Sequence, residues 1–163
     1  VSMQLIHAMN DLTATHKDLL ELSKRKTEAL TNNKLDEFQA LLLEEQKYIR
    51  QLEQQESSRQ KIVEAWNEEQ SSPAALDSLT ITGILSRLGE EEQGKAEASA
   101  IALTDVITEL KRQELLNKAL LEESMKFVQL SMDLMNPTIK SMNYGAASTT
   151  DKVPNRSLFD SKA

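Results

Sequence analysis

The sequence predicts an all-α protein: an elongated antiparallel bundle of three long helices with coiled-coil-like packing. One short helix is expected in the second connection, and a flexible tail at the C-terminus. Three observations predict this class. Only 4 Gly and 3 Pro occur in 163 residues, where average usage gives roughly 20, so turn-rich sheets and Gly-rich loops are disfavoured. Long stretches repeat apolar residues in alternating steps of three and four, the period of helices that pack along a seam. Apolar residues are 39% against 28% charged, and the mean hydropathy is -0.47. That is lean for a compact globule but sufficient for rods, which need less core per residue.

The first helix runs from about Ser2 to Leu30. Leu5, Met9, Leu12, Leu19 and Ala29 fall on one face, with Ile6, Leu20 and Leu22 beside it; His16, Ser23 and Lys26 interrupt the stripe. Thr31-Asn32-Asn33-Lys34 is the break. Asn33 suits an N-cap, and Asp36 and Glu37 follow in the first turn, where the positive helix end favours acids.

The second helix runs to about Gln70 along the heptad line Leu35, Phe38, Leu42, Glu45, Ile49, Leu52, Glu56, Arg59, Val63, Trp66. Pro73 ends it, because proline cannot continue the hydrogen-bond ladder. A short helix from Thr82 to Leu88 follows, stopped by Gly89.

The third long helix is expected from near Lys95 to about Asn136, before Pro137. Its seam reads Ala100, Leu103, Ile107, Leu110, Glu114, Asn117, Leu121, Ser124, Val128, Ser131, Met135. Ile101, Val106, Leu116, Leu120, Phe127, Leu130 and Leu134 widen the stripe beyond what one partner helix covers. Residues 1–136 therefore form the helical domain and residues 137–163 the tail. Three rods sharing a core leave part of the wide stripe free for a further helix from a partner.

Several chemistries are set aside. Cysteine is absent, which removes disulfides, thiol catalysis and Cys-ligated metals. No run of about 20 apolar residues and no secretory leader is visible, so the expected compartment is the cytoplasm and direct membrane insertion is not expected. Net charge is -7, and residues 1–100 carry 18 acidic against 11 basic side chains. Phosphate backbones need clustered Lys and Arg, so nucleic acid is not an expected partner.

The stretch Gly89-Glu90-Glu91-Glu92-Gln93-Gly94-Lys95-Ala96 imitates a phosphate-binding loop, yet puts three Glu where phosphates would sit and lacks the magnesium-binding hydroxyl. It is expected to be an exposed acidic linker. His7 and His16 point to opposite sides of their helix, and no Glu-x-x-His occurs, so no metal or other cofactor is expected. Glu45, Glu56 and Arg59 on one seam fit a register-fixing role better than acid–base work, which needs a pocket. The chain is not expected to be an enzyme. Asn155-Arg156-Ser157 matches a glycosylation sequon, which a cytoplasmic chain would not use.

The ordered pieces resemble the FlgN family of flagellar export chaperones, and Bacillus-like members in particular. They are His16 to Ser23, Lys26 to Leu30, Glu44 to Ile49 with Arg59, Asn117 to Leu121 with Ser124 and Phe127, Asn143-Tyr144, and Leu158 to Ala163. The resemblance implies a chaperone that binds the C-terminal helical parts of the hook-associated proteins FlgK and FlgL, prevents their premature assembly, and delivers them to the type III export apparatus. The docking point it implies is the cytoplasmic domain of the export gate protein FlhA, and Tyr144 looks like the family's docking tyrosine.

For client contact the expected residues are Leu116, Leu120, Phe127, Leu130 and Leu134. Leu158 and Phe159 are candidates for tail contact with the bundle. The rival expectation is a structural coiled-coil scaffold or adaptor.

Overall fold

A computed structural model of the chain describes residues 2–69 and 81–135. These residues form four helices: α1 (Ser2–Thr31), α2 (Leu35–Glu69), α3 (Ile81–Leu85) and α4 (Glu90–Met135), with no strand among them. Three are long and one is short, and the short one lies in the second connection, as the apolar periods and breakers predict. The chain divides into two units, residues 1–120 and 121–163.

In the first unit α1 is the most deeply buried helix. Leu5, Met9, Leu12, Leu19, Leu20, Leu22, Ala29 and Leu30 are all buried. Leu20 and Leu22, expected beside the stripe, are inside it. So are Ser23 and Lys26, expected to interrupt it. The buried face is wide because α1 serves two partners.

The start of α1 shares a hydrophobic cluster with the end of α2, through Leu5, Met9, Val63 and Trp66. The end of α1 pairs with the start of α2, through Arg25 to Glu44 at 3.7 Å and Lys26 to Glu45. These two helices therefore run antiparallel. With α4 the order is reversed: Ser2 Oγ donates to Glu92 at 2.9 Å, and Lys26 Nζ donates to Glu114 at 2.9 Å. Start meets start and later meets later, so α1 and α4 run parallel.

The α1–α2 turn corrects one expectation. Asn33 does not cap α2; it terminates α1. Its φ is 57°, its N–H donates to Leu30 O at 3.3 Å, and the Lys34 N–H donates to Ala29 O at 2.8 Å. This pair of bonds around a left-handed residue satisfies the last carbonyls of a helix, and asparagine tolerates that conformation better than most residues with a Cβ. Lys34 takes the position before α2, its carbonyl accepting from the Phe38 N–H at 3.0 Å.

The α2 seam is also corrected. Leu41, not Leu42, is buried; Leu35, Leu42 and Ile49 stay exposed. The face turned inward is the line Phe38, Leu41, Glu45, Leu52, Arg59, Val63, Trp66, a slightly different choice among the same steps of three and four.

Farther along, α3 is shorter than expected, ending at Leu85 before a turn through Leu88. Ile84 is buried in the main cluster, with Leu85 and Leu88 packed against it. Arg87 sits over the Trp66 ring, 5.6 Å from its centroid, in cation–π range.

The acidic stretch expected as a linker is instead the first turn of α4. The helix begins at Glu90 rather than Lys95, and Gly89 O accepts from the Gln93 N–H at 2.8 Å. Three glutamates suit that position because the free N–H groups there carry partial positive charge. Ala96, Leu103 and Val106 then enter the core.

The second unit is described through Met135, as the continuation of α4. The expected tail, residues 137–163, lies outside the described residues.

Candidate functional site

Two features stand out against the apolar helix contacts: a buried polar layer and an uncovered apolar helix. The layer lies near the end of α1. Lys26 is only 4% exposed although it carries a charge. Its Nζ donates to Glu45 of α2 and to both carboxylate oxygens of Glu114 of α4, at 2.9 and 3.1 Å.

Beside it, Asn117 Nδ2 donates to Ser23 O at 2.9 Å and to Ser23 Oγ at 3.0 Å. The Thr27 hydroxyl bonds the Asn117 side-chain oxygen and accepts from Gln113 Nε2 at 2.6 Å. Three helices thus meet through side chains that satisfy one another, as buried polar groups must. Glu45 belongs to this layer. Glu56 and Arg59 do not: they pair with each other, Arg59 Nε to Glu56 Oε2 at 2.9 Å and Nη2 to Oε1 at 2.6 Å. Hydrogen bonds from Arg59 hold the Glu56 carboxyl below its ordinary pKa; burial opposes this, and the Arg59 charge adds to it.

The layer had a signal in the sequence that single-helix reading passes over. Ser23, Lys26, Glu45, Glu114 and Asn117 each break an apolar stripe, and the breaks in three helices fall together once the helices are paired.

The uncovered helix is the part of α4 after Leu121. Met125, Phe127, Val128, Leu130, Met132, Leu134 and Met135 are between 46% and 78% exposed. At about 100° per residue, Phe127, Leu130 and Leu134 fall on one side, and Val128, Met132 and Met135 on another. Glu122, Lys126 and Asp133 occupy the remaining wedge, and Glu123 falls on the Phe127 side. Most of this surface is therefore apolar and open to solvent, which is unusual without a partner.

Of the five residues expected at a client surface, Phe127, Leu130 and Leu134 lie in this stretch at 62%, 56% and 70% exposure. Leu116 is exposed and Leu120 half-buried, both in the first unit. Met125 and Met132, which the periodic pattern did not single out, are as open as the expected residues. Tyr144, Leu158 and Phe159 lie outside the described residues.

His16 is accounted for by its own helix, its Nδ1 donating to Leu12 O at 2.7 Å. Among the described residues no group of three or more His, Asp or Glu is placed to hold a metal ion, and no helix is long and apolar enough to cross a membrane.

Comparison with known proteins adds a lineage to this geometry. A family model described as FlgN, FlgN protein, matches residues 2–152. The Bacillus subtilis (strain 168) protein YvyG, whose name describes it as uncharacterised, is 30% identical over 161 residues, covering 98% of this chain and 97% of its own length. No solved structure matches the chain.

Proposed function

Because this chain belongs to the FlgN family, a family of flagellar chaperones, we propose that it is a cytoplasmic chaperone for the hook-associated proteins FlgK and FlgL. It holds their C-terminal helical parts, keeps them from assembling too early, and carries them to the export apparatus. It is a binding protein and not an enzyme. The proposed architecture is a three-helix bundle over residues 1–136 with a tail from 137 to 163.

The observation that carries the proposal is the open apolar stretch of α4 between Met125 and Met135. A client segment that pairs through amphipathic helices is matched by such a surface. At about 25 cal/mol per Å² a few hundred Å² of contact is enough for useful affinity, even after part is lost to ordering the client. No nucleotide is required by this mechanism. Release comes from competition, or from pulling by the export machinery. Leu116, Leu120, Phe127, Leu130 and Leu134 are the proposed client contacts, Leu158 and Phe159 proposed tail contacts, and Tyr144 the proposed docking residue for the cytoplasmic domain of FlhA.

Co-purification tests this. The chain is expected to form a soluble complex of about 1:1 with C-terminal fragments of FlgK or FlgL and to lower their self-association, as a partner that fills the same apolar face would. Passage of both fragments unbound over the immobilised chain refutes the proposal. Tyr144→Ala is expected to leave client binding intact and to weaken binding to the FlhA domain; equal loss of both contradicts separate sites.

A further inference from the structure

We infer that the buried polar layer is a register lock: it fixes which residues of α4 stand against α1 within the first unit. The inference rests on the α1–α4 distances alone.

Every described hydrogen bond between α1 and α4 joins residues 86 to 94 apart in sequence. In that register the last turns of α1 stand against the turns of α4 around Asn117. A shift of one heptad is the smallest slip that keeps the same face of α4 inward. With Ser99 opposite Ser2 in place of Glu92, Leu121 would take the place of Glu114, Ser124 that of Asn117, and Leu120 that of Gln113.

Apolar matching opposes such a slip in part: Leu110 would replace Leu103, an identical residue, but Gln113 would take the place of the buried Val106. Ala96, fully buried, resists Leu103 by size. The polar layer adds charges and amides to that discrimination. In the slipped register Lys26 loses Glu114 and faces a leucine while still almost wholly buried. Glu114 and Asn117 move to the places of Ile107 and Leu110, which pack against the apolar cluster, and lose Lys26 and Ser23 as partners. An unpaired charge or amide in such surroundings is strongly unfavourable. Fixing register is the best-attested use of buried polar groups between helices.

The test exploits the absence of cysteine from the chain. Two reporters are made in the full-length protein: Ser2→Cys with Glu92→Cys for the native register, and Ser2→Cys with Ser99→Cys for the slipped one. A short bismaleimide reads both. With the native layer, the first pair is expected to cross-link at least about tenfold more than the second, and with Lys26→Leu, Glu45→Leu, Glu114→Leu and Asn117→Leu together the preference is expected to fall to about threefold or less.

The milder pair Glu114→Leu with Asn117→Leu, leaving Lys26 and Glu45 in place, gives an intermediate ratio. A folded variant that keeps the full preference overturns the inference. Loss of helical circular dichroism in both variants overturns it too, because the layer would then supply stability and not register.

Discussion

A lysine ammonium with almost no access to water persists between helices only where carboxylates reach it. Lys26 meets this condition through Glu45 and Glu114, whose side chains keep 17% and 40% of their exposure. Its stem adds to the packing of α1 while its charge is met from two other helices. Lys26→Ala removes both contributions and strands Glu45. Urea unfolding is expected to show a loss of about 2 to 3 kcal/mol, below the figure for a fully buried pair because Glu114 still meets water. A change under about 0.5 kcal/mol would mean that the ammonium is no more than a surface charge.

Glu56 and Arg59 make a different case. The Glu56 carboxyl is held below its ordinary pKa in the folded chain. The stability it supplies is therefore present above the unfolded carboxylate range and is lost as pH falls through the folded value. With 44% of the Glu56 side chain exposed, solvent limits the effect to roughly 0.5 kcal/mol or less. Thermal unfolding of Glu56→Gln is expected to run slightly below the parent near neutrality and to converge with it in strong acid. A gap that widens on acidification would contradict the sign.

Helix ends in this chain are set by single residues. Asn33 closes α1 in a left-handed conformation, while Gly94 lies inside the first turns of α4 with an ordinary φ and nothing within 4 Å of where a Cβ would stand. The same substitution should then act in opposite directions. Asn33→Ala is expected to cost about 1 kcal/mol, because alanine has no side chain to support positive φ. Gly94→Ala is expected to gain about 0.5 to 1 kcal/mol by restricting the unfolded chain and favouring helix. Equilibrium unfolding of the two variants checks both signs, and like signs would mean that one end is misassigned.

The α4 start illustrates local physics overruling a motif. Gly89 to Ala96 spells most of a phosphate-binding loop, but no strand leads into it and its glutamates lie in the first turn of a helix. Acidic residues there favour helix formation outright, so the helix reaches back to Glu90.

Across the molecule, burial is unevenly distributed along α4. Ala96, Leu103 and Val106 are in the core, whereas every large apolar residue from Met125 to Met135 is open. Phe127→Glu should therefore leave thermal stability within about 0.5 kcal/mol, as surface changes do, and should weaken FlgK or FlgL fragment binding at least about tenfold by placing a charge in the apolar contact. Circular dichroism melting and a binding titration are read together. Unfolding of the variant would show that Phe127 is core, and intact binding would remove it from the client surface.

Periodicity and the scarcity of breakers were enough to determine the four helices of the described residues, their order, the short one between the second and third long ones, and most of the residues inside. They were enough because helix formation and amphipathic burial depend on neighbours three and four positions away, all present in the sequence. The apolar character of Phe127, Leu130 and Leu134 was equally legible. What tertiary structure decided was which of two adjacent leucines turns inward at 41 and 42, that Asn33 ends one helix instead of starting the next, and that Ser23 and Lys26 are buried together with Glu45, Glu114 and Asn117. The place of Asn33 depends on the left-handed backbone it takes up, and the inward leucine and the buried polar layer on where one helix stands against another. A stripe of apolar residues leaves that open within a turn or a heptad, and only paired polar groups or a stop in the partner helix settle it.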